Sequence, residues 1–387
     1  MSPGFVSAAS AWLLIALVAT AGAAAAYSHG AATSPARATA DTAPDAAAMP
    51  RYSHIFVIVE ENKGYAQIIG PATIAPNIQR LARSYGLASE FYAEVHPSEA
   101  NYLAMLGGDT FGIHDDDAYY CKPGMHDKWC PKSGRSGYVD HTVRAPSLMD
   151  QLQTRHLSWK AYMESIPEPG SLVARWPSAQ QPVAGLPPEL YAVKHNGFMS
   201  FESVQQDPQR AAHIVGFDQL YRDLASGQMP NYAHIVPNQC NDMHGRKGGP
   251  DVPQDCRNDN MPGLIARGDR VLGELVRRIM DSPVWSAEGN VAIVITFDEN
   301  EKEERTGGDQ GCCGYQPDSA ANFGGGHIPT VIITNHGPRG IVDSRPYNHY
   351  SLLRTTEAAF GIDHYLGHAA EEQAGVYSMT PLFAVRP

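Results

Sequence analysis

Short, continuous apolar runs recur along the chain and predict the strands of a sheet. They are rich in Val and Ile and apolar on both faces, which is typical of central strands in a parallel sheet covered by helices on both sides. The runs lie at residues 54–59 (HIFVIV), 232–236 (YAHIV), 291–297 (VAIVITF) and 330–334 (TVIIT).

Helical periodicity appears between these runs. Residues 75–85 and 264–280 place apolar side chains on one stripe, and the second segment leads toward run 291–297 as a crossover helix would. Residues 111–230 are richer in Gly, Pro and aromatic residues, which predicts loop insertions over the functional face. We therefore expect one α/β domain with a mostly parallel central sheet flanked by helices.

The N-terminus has the pattern of an export signal. Residues 11–19 (AWLLIALVA) are apolar and an Ala-x-Ala pattern follows at 24–26, which predicts a signal peptide over residues 1–26 and a secreted or periplasmic protein. No Lys or Arg precedes the apolar stretch, so a retained membrane anchor is the alternative; cleavage would leave no membrane span. Residues 27–50 are rich in Ala, Thr and Pro and predict a flexible linker before a folded domain over residues 51–387.

Charge and composition exclude several classes of function. The chain has 29 Lys and Arg against 41 Asp and Glu, a net charge of −12, and no basic cluster, so we expect no nucleic-acid binding. Hydrophobic residues make up 43% and charged residues 18%, which excludes disorder over most of the length. No second long apolar run follows the N-terminus, which excludes a multi-span membrane protein.

The predicted export indicates that the cysteines form disulfides, because an oxidising compartment favours these bonds. The six are Cys121, Cys130, Cys240, Cys256, Cys312 and Cys313. Short separation favours pairing the first with the second and the third with the fourth. A bond between the adjacent last two is strained, so bridges from each to another cysteine stay open. A zinc-cysteine site is the competing interpretation, although no Cys-x-x-Cys spacing supports it.

Two acidic segments follow two of the predicted strands directly. Residues 60–62 (EEN) come after run 54–59, and residues 298–300 (DEN) come after run 291–297. In an open α/β sheet, ligands bind beyond the carboxyl ends of the strands. Carboxylates gathered there repel one another unless a cation lies between them, so the pattern predicts a divalent metal site. The alternative is a pair of solvated acidic turns.

A serine stands at the start of a predicted helix. In residues 96–108 (HPSEANYLAMLGG) the helix runs from Asn101 onward, with Ser98 at its mouth. Free backbone N–H groups at a helix start favour a nucleophilic alkoxide and a bound phosphoryl group. The alternative is that Ser98 only caps the helix, which is a common role for serine.

Several histidines lie in polar or Gly-rich loops beside the predicted strands. His195 lies in a Lys-His-Asn segment, His244 follows run 232–236 together with Asp242, and His327 follows three glycines. Such histidines donate to phosphate oxygens or bind metal, although a single loop histidine is usually a surface residue. His349 opens a helix-like segment, where we expect capping or packing.

Taken in order, these motifs resemble the bacterial phosphoesterase family of the alkaline phosphatase superfamily. That family includes secreted acid phosphatases, phosphatidylinositol-3-phosphatase-like enzymes and phospholipases C. The resemblance covers roughly residues 52–362 and implies an alkaline-phosphatase-like fold. The motifs are HIFVIVEEN, HPSEANYLAMLGG, KHN, NDMHG, TFDEN, GGGHIP and NHYSLLRTTEAAFG.

The resemblance also implies roles for individual residues. Ser98 would take the phosphoryl group covalently, and Asn101 would hold a phosphoryl oxygen. The metal ligands would be Glu61, Asn62, Asp298 and Glu299, completed by Ser98. The phosphate-binding and leaving-group side would consist of His195, Asp242, His244 and, on a looser match, His327.

The expected cofactor is one divalent metal ion. Two-zinc members of the superfamily carry His at the position of Glu299, and that departure implies a single harder metal in an all-oxygen shell, with Mg, Ca, Mn, Fe and Zn all open. The expected function is a secreted acid phosphatase that hydrolyses monoesters through phosphoserine. The alternatives are a phospholipase C-type phosphodiesterase, whose family members are usually longer, and a non-catalytic exported protein that binds metal or phosphate. The natural substrate and the oligomeric state stay open.

Overall fold

The structure is a computed structural model that describes residues 48–301, 308–313 and 324–385. The predicted signal peptide and nearly all of the predicted linker lie outside the described residues. None of the helices in the described part of the chain combines the length and the apolar character needed to cross a membrane.

Eleven strands and ten α-helices fall within the described residues. The strands are β1 (His54–Glu60), β2 (Gly86–Tyr92), β3 (Trp159–Met163), β4 (Arg175–Trp176), β5 (Tyr191–Ala192), β6 (Ile214–Val215), β7 (Tyr232–Val236), β8 (Val291–Phe297), β9 (His327–Thr334), β10 (Ile341–Asp343) and β11 (Tyr347–Asn348). The helices are α1 (Tyr65–Ile69), α2 (Pro76–Ser84), α3 (Glu99–Gly107), α4 (Leu148–Thr154), α5 (Glu202–Gln205), α6 (Arg210–His213), α7 (Phe217–Ser226), α8 (Met261–Met280), α9 (His349–Ala359) and α10 (Thr380–Phe383).

Nine strands form one mostly parallel sheet, as the apolar runs predict. The order is β10-β2-β9-β8-β1-β7-β3-β6, and β11 pairs with β2. Strand β1 lies at the centre, parallel to β8 on one side and β7 on the other, and the side chains of β1 and β8 are buried almost throughout. The carboxyl ends of these three strands therefore meet at one edge of the sheet.

The direction of β9 differs from the prediction for residues 330–334. This strand is buried as expected, but it runs antiparallel to both of its neighbours, β8 and β2. A parallel return needs a crossover of a dozen or more residues, usually a helix, and the described residues between β8 and β9 contain no helix. A strand buried on both faces has the same apolar pattern in either direction, so the sequence pattern does not encode this choice.

The segment 111–230 contributes more to the sheet than the predicted loop insertions. It contains β3 and β6, which extend the main sheet beyond β7, and the amphipathic helix α7. The two strands have only five and two residues, and β3 (WKAYM) carries a lysine in its middle. Runs this short and mixed do not stand out from loop sequence by periodicity.

Helices α2 and α8 form where the 3.6-residue period predicts them, and they are joined by a buried carboxylate. Asp269 of α8 accepts hydrogen bonds from the backbone N–H groups of Asn77 and Ile78, at 3.1 and 2.8 Å, in the first turn of α2. These N–H groups have no partner within their own helix, so the carboxylate supplies one. Its negative charge also interacts favourably with the positive end of the helix dipole.

All six cysteines are paired in disulfides. The bonds join Cys121 to Cys130, Cys240 to Cys256 and Cys312 to Cys313. The first two pairs confirm the prediction from short separation. The adjacent cysteines bond to each other, and no thiolate is left for a zinc-cysteine site.

Candidate functional site

Polar side chains from three neighbouring strand ends converge at the carboxyl edge of the sheet. Glu61 and Asn62 follow β1, Asp298 follows β8, and Asp242 follows β7 by a short loop. The backbone N–H of Asn62 donates to Asp298 Oδ1 at 2.9 Å, and the backbone N–H of Glu61 donates to the carbonyl of Asp242 at 2.7 Å. The two acidic segments singled out in the sequence therefore lie against each other rather than in separate solvated turns.

Ser98 reaches this cluster from the residue directly before α3. Its side chain is 1% exposed, and its Oγ lies 3.3 Å from Glu61 Oε2 and 3.2 Å from Glu299 Oε1. The side chain makes no capping hydrogen bond to α3. The alternative role as a helix cap therefore does not account for where this hydroxyl points.

Lys194 and His195 lie in a single 3₁₀ turn that follows β5, and both enter the cluster. Lys194 Nζ donates to Ser98 Oγ at 3.4 Å, to Asp116 Oδ2 at 2.9 Å and to His244 Nε2 at 3.3 Å. Among the described residues, the Lys194 ammonium group is thus the cation in direct contact with the Ser98 hydroxyl.

The two histidines of the cluster turn a ring nitrogen toward the same space. His244 Nδ1 donates to the carbonyl of Gly245 at 2.9 Å, which leaves Nε2 as the nitrogen with a lone pair. His195 Nε2 lies 3.2 Å from Glu61 Oε1, and its Nδ1 lies 3.4 Å from Asp242 Oδ2. A carboxylate behind a histidine is the usual way to orient a metal-binding imidazole.

Burial changes the protonation of these groups. Burial and then the charge of Asp298 raise the pKa of Glu61 well above its ordinary value, and burial raises the pKa of Asp242 in the same direction. Burial also raises the pKa of Glu299 to about 7. Burial and then the Lys194 charge lower the pKa of His195 well below its ordinary value. A bound cation would relieve the repulsion between these carboxylates and bind neutral imidazoles, so it would stabilise this arrangement.

The donor atoms fit a divalent metal ion. Glu61, His195 and His244 each offer one ligand atom, and these atoms lie within 4.8 Å of one another. Within the described residues, His195 Nε2, Asp242 Oδ2 and Asp298 Oδ2 are buried and make no well-aligned hydrogen bond, although His195 lies close to Glu61 and Asp242. Such atoms are costly unless a ligand completes them. The set contains two imidazole nitrogens, so it differs from the all-oxygen shell expected from Glu299.

The structure does not bring Asn101 to the cluster. Its amide oxygen accepts hydrogen bonds from the backbone N–H groups of Glu94 and Val95, at 2.9 and 3.2 Å, and its amide nitrogen donates to the carbonyl of Val95 at 2.7 Å. The Asn101 amide therefore holds the loop before Ser98, and its predicted contact with a phosphoryl oxygen stays a prediction.

His327 also contacts residues outside the cluster, and its predicted phosphate-binding role stays a prediction. It begins β9, its Nε2 donates to the carbonyl of Ser89 at 2.8 Å, and its ring stacks on Tyr65 at 4.4 Å and on Tyr92 at 5.1 Å. His349 is buried and donates from Nε2 to the carbonyl of Phe297 at 2.9 Å, in agreement with the packing role expected for it.

Three residues of the site were not predicted from the sequence. Tyr102 donates to Glu61 Oε1 at 2.7 Å, His96 hydrogen-bonds Glu299, and Lys194 contacts Ser98. Each had a signal in the sequence. Tyr102 is four residues after Ser98 and therefore on the same helix face, while His96 and Lys194 are close neighbours of residues already singled out.

A second buried network supports the start of α3. Glu99 accepts hydrogen bonds from His141 Nδ1 at 3.1 Å and Ser200 Oγ at 2.9 Å, and His141 Nε2 lies 3.2 Å from Asp115 Oδ1. Burial opposes the charged form of His141, but its two carboxylate partners outweigh burial and raise its pKa to about 10. Burial outweighs the lowering by His141 and raises the pKa of Glu99 to about 7. Above that pH, an imidazolium between two carboxylates anchors the residue next to Ser98.

This network predicts a pH-dependent stability. The pKa of His141 is raised to about 10 from an ordinary value of 6.5, so its stabilisation is complete below pH 6.5 and is lost as the pH rises through 10. We expect the free energy of unfolding to fall by on the order of 3 kcal/mol over that range. Urea titrations at pH 6.5 and 10 check this, with His141→Gln as the comparison. An equal fall in wild type and variant would contradict the assignment.

Comparison with known proteins identifies the family. Residues 71–363 match the Phosphoesterase family. The chain is 27% identical over 317 residues to phosphatidylinositol-3-phosphatase of Mycobacterium tuberculosis, covering 82% of this chain and 80% of that protein. It is 27% identical over 296 residues to phosphate-repressible acid phosphatase of Penicillium chrysogenum, covering 76% of this chain and only 56% of that protein.

The fold has solved relatives at low sequence identity. The lipoteichoic acid synthase of Listeria monocytogenes superposes with a TM-score of 0.51 at 12% identity, covering 88% of this chain and 78% of that one. At that identity the likeness concerns the fold alone. The match over residues 71–363 covers most of the chain and confirms the resemblance carried by the motifs. The chain belongs to the phosphoesterase family.

Proposed function

We propose that this chain is an exported, metal-dependent phosphatase that cleaves phosphate monoesters through a covalent bond to Ser98. The observation that carries the proposal is a buried hydroxyl, directly before α3, that caps nothing and faces Glu61, Glu299 and Lys194. The relatives named phosphatidylinositol-3-phosphatase and acid phosphatase support the same class of reaction.

The residues that would hold the metal form two overlapping donor sets that share Glu61. One consists of oxygens from Glu61, Asn62, Asp298 and Glu299 with the Ser98 hydroxyl, and it suits Mg, Mn or Ca. The other combines Glu61 with the imidazoles of His195 and His244 and suits Zn or Fe. A divalent ion bound in either set supplies positive charge that favours the Ser98 alkoxide and the phosphoryl oxygens.

The chain's own groups account for the rest of the reaction. Ser98 Oγ forms a bond to phosphorus while the bond from phosphorus to the alcohol oxygen breaks. Ser98 releases one proton and the departing alcohol takes up one, so the protons balance. Lys194 Nζ, 3.4 Å from Ser98 Oγ, binds a phosphoryl oxygen as charge develops there. Water then breaks the bond between Ser98 and phosphorus and releases inorganic phosphate, which restores the hydroxyl.

Export is part of the proposal because of the cysteines. All six are bonded in disulfides, and disulfides persist in oxidising compartments and are rare in the cytosol. The apolar N-terminal segment supports the same location, with a cleaved signal peptide over residues 1–26 as the proposed route.

Metal removal tests the proposal. Release of p-nitrophenol from p-nitrophenyl phosphate is expected to fall by at least about 100-fold after treatment with a chelator, and to return on adding one of Mg, Ca, Mn, Fe or Zn. The choline phosphodiester of p-nitrophenol is assayed beside it. Full activity in chelator would contradict metal dependence.

The other outcomes of this assay separate the alternatives. Turnover of the diester alone would replace the monoesterase with a phospholipase C-type reaction at the same residues. Turnover of neither ester, with metal bound, would replace the enzyme with an exported binding protein.

A further inference from the structure

A mostly buried arginine beside the site has almost no partner. Arg175 lies in β4, which pairs with β5 so that Arg175 is opposite Ala192, two residues before Lys194. Its side chain is 20% exposed and makes no hydrogen bond within the described residues. Its nearest carboxylate, on Glu189, is 3.8 Å away, and its guanidinium packs over Trp129 at 5.5 Å. A desolvated guanidinium with unused donors is costly unless a ligand completes it.

The carboxylate nearest to Arg175 is already used by a second arginine. Arg246 donates to Glu189 Oε2 at 2.8 Å and to Gln239 Oε1 at 3.1 Å, and its Nε is buried without a partner within the described residues. Two guanidinium groups therefore share one carboxylate. The Asp116 carboxylate, which also acts on Arg175, is hydrogen-bonded to Lys194 at 2.9 Å.

The charges around these arginines leave a local positive excess. Arg175 and Arg246 carry two positive charges against the single negative charge of Glu189, whereas Lys194 is paired with Asp116 and also lies near Glu61. The chain as a whole has a net charge of −12, so this excess is a local feature. Lys194 contacts Ser98, and both arginine charges act on His195, which places the excess beside the phosphoryl site.

Aromatic and cationic side chains continue this region toward solvent. Trp129 is half-buried, carries the Arg175 guanidinium on its ring, and also has the exposed Lys128 ammonium 4.1 Å from its ring centre. The Cys121–Cys130 disulfide closes the loop that presents Trp129. The pattern suits a ligand that extends out of the site and carries negative charge along its length.

We propose that Arg175, with Arg246 beside it, binds a second anionic group of the substrate, so that the enzyme prefers phosphate esters whose alcohol part carries another phosphate. Arginine matches phosphate with a planar, bidentate fork and keeps its charge at any physiological pH. The inference rests on the proposed phosphatase function and adds to it the substrate class. The second phosphate has two sources, a soluble bisphosphate or the phosphodiester of a lipid head group.

The test compares substrates with one and two anionic groups. We expect kcat/KM for fructose 1,6-bisphosphate to exceed that for fructose 6-phosphate by at least about tenfold, the value of one charge-assisted contact. Arg175→Ala is expected to remove that ratio and Arg175→Lys to keep part of it. Short-chain phosphatidylinositol 3-phosphate forms a second arm, and a loss confined to that arm assigns the second phosphate to a lipid head group.

A matched control excludes a general effect of removing an arginine. Arg277, which is exposed and pairs with Asp281 at the end of α8 that precedes β8, lies at the opposite edge of the sheet from the site. Arg277→Ala is expected to keep the wild-type ratio. Equal losses for one-anion and two-anion substrates in Arg175→Ala would overturn the proposal, because Arg175 would then bind the transferred phosphoryl group. A wild-type ratio of one, together with no loss in the lipid arm for Arg175→Ala, would also overturn it.

A binding measurement separates this proposal from the proposed function. In the Ser98→Ala background, calorimetry with fructose 1,6-bisphosphate and fructose 6-phosphate is expected to show the same preference, lost again in the Ser98→Ala/Arg175→Ala double variant. If the wild-type chain hydrolyses neither ester and the binding preference is still present, the second-anion site is retained and the phosphatase is rejected. Hydrolysis without a preference would reject the site alone.

Discussion

Ser98→Ala is expected to lower the turnover of phosphate monoesters by roughly 10⁴-fold or more, with little change in fold. The expectation follows from a covalent mechanism, in which removal of the nucleophile leaves only binding and electrostatic assistance. The hydroxyl makes no cap and faces Glu61, Glu299 and Lys194, so its loss removes no hydrogen bond on which a helix depends. Release of p-nitrophenol and thermal unfolding, measured side by side, check both parts.

Direct trapping makes the same prediction specific to Ser98. Acid quenching during turnover of a ³²P-labelled ester is expected to leave label on wild type and none on Ser98→Ala. Ser200→Ala is the matched control, because Ser200 is also buried and bonds a carboxylate, that of Glu99 at 2.9 Å, but it lies outside the cluster. A labelled Ser98→Ala protein, or one that keeps more than a tenth of its turnover, would exclude Ser98 as the nucleophile.

Asp298→Asn is expected to weaken metal binding by roughly 100-fold or more and to lower turnover at limiting metal by a similar factor. The amide keeps the acceptor for the backbone N–H of Asn62 but loses the negative charge. Burial raises the pKa of Asp298, so this carboxyl group destabilises the metal-free protein at neutral pH. The variant should therefore unfold at a higher temperature than wild type without metal and gain less when metal is added.

These opposite shifts are measured by thermal unfolding with and without metal, together with metal content by mass spectrometry. Glu60→Gln is the control, because Glu60 is buried one residue before Glu61 and the alternation of a strand assigns the two residues to opposite faces. We expect it to keep the wild-type metal content. Loss of metal from Glu60→Gln and not from Asp298→Asn would show that the site lies on the other face.

The sequence predicted the strands whose side chains are buried on both faces of the sheet. Strands β1, β7 and β8 are buried on both faces, so their apolar runs matched the structure closely. The direction of β9 and the existence of β3 and β6 depend on which neighbours a strand finds. That information lies in the connections and in long-range pairing, which an apolar pattern does not record.

The same distinction explains the site. Residues that directly follow buried strands, such as Glu61 and Asp298, were found because strand ends meet at one edge. Asn101 and His327 were expected in the cluster, but a loop backbone and two tyrosine rings hold them elsewhere. These partners come from other parts of the chain, so no local motif reveals them. Helical spacing from Ser98 could have identified Tyr102, and adjacency to His195 could have identified Lys194.

The order of the strands has a consequence for how the protein acquires its activity. The hydrogen bond from Asn62 to Asp298 spans 236 residues, and Ser98 and His195 come from two further segments between them. No proteolytic fragment from either half of the chain contains a complete site. During refolding, closing such long loops is slow, so helical circular dichroism is expected to recover before ester cleavage does. Enzymatic turnover therefore reports completed folding of the whole chain, not the presence of its parts.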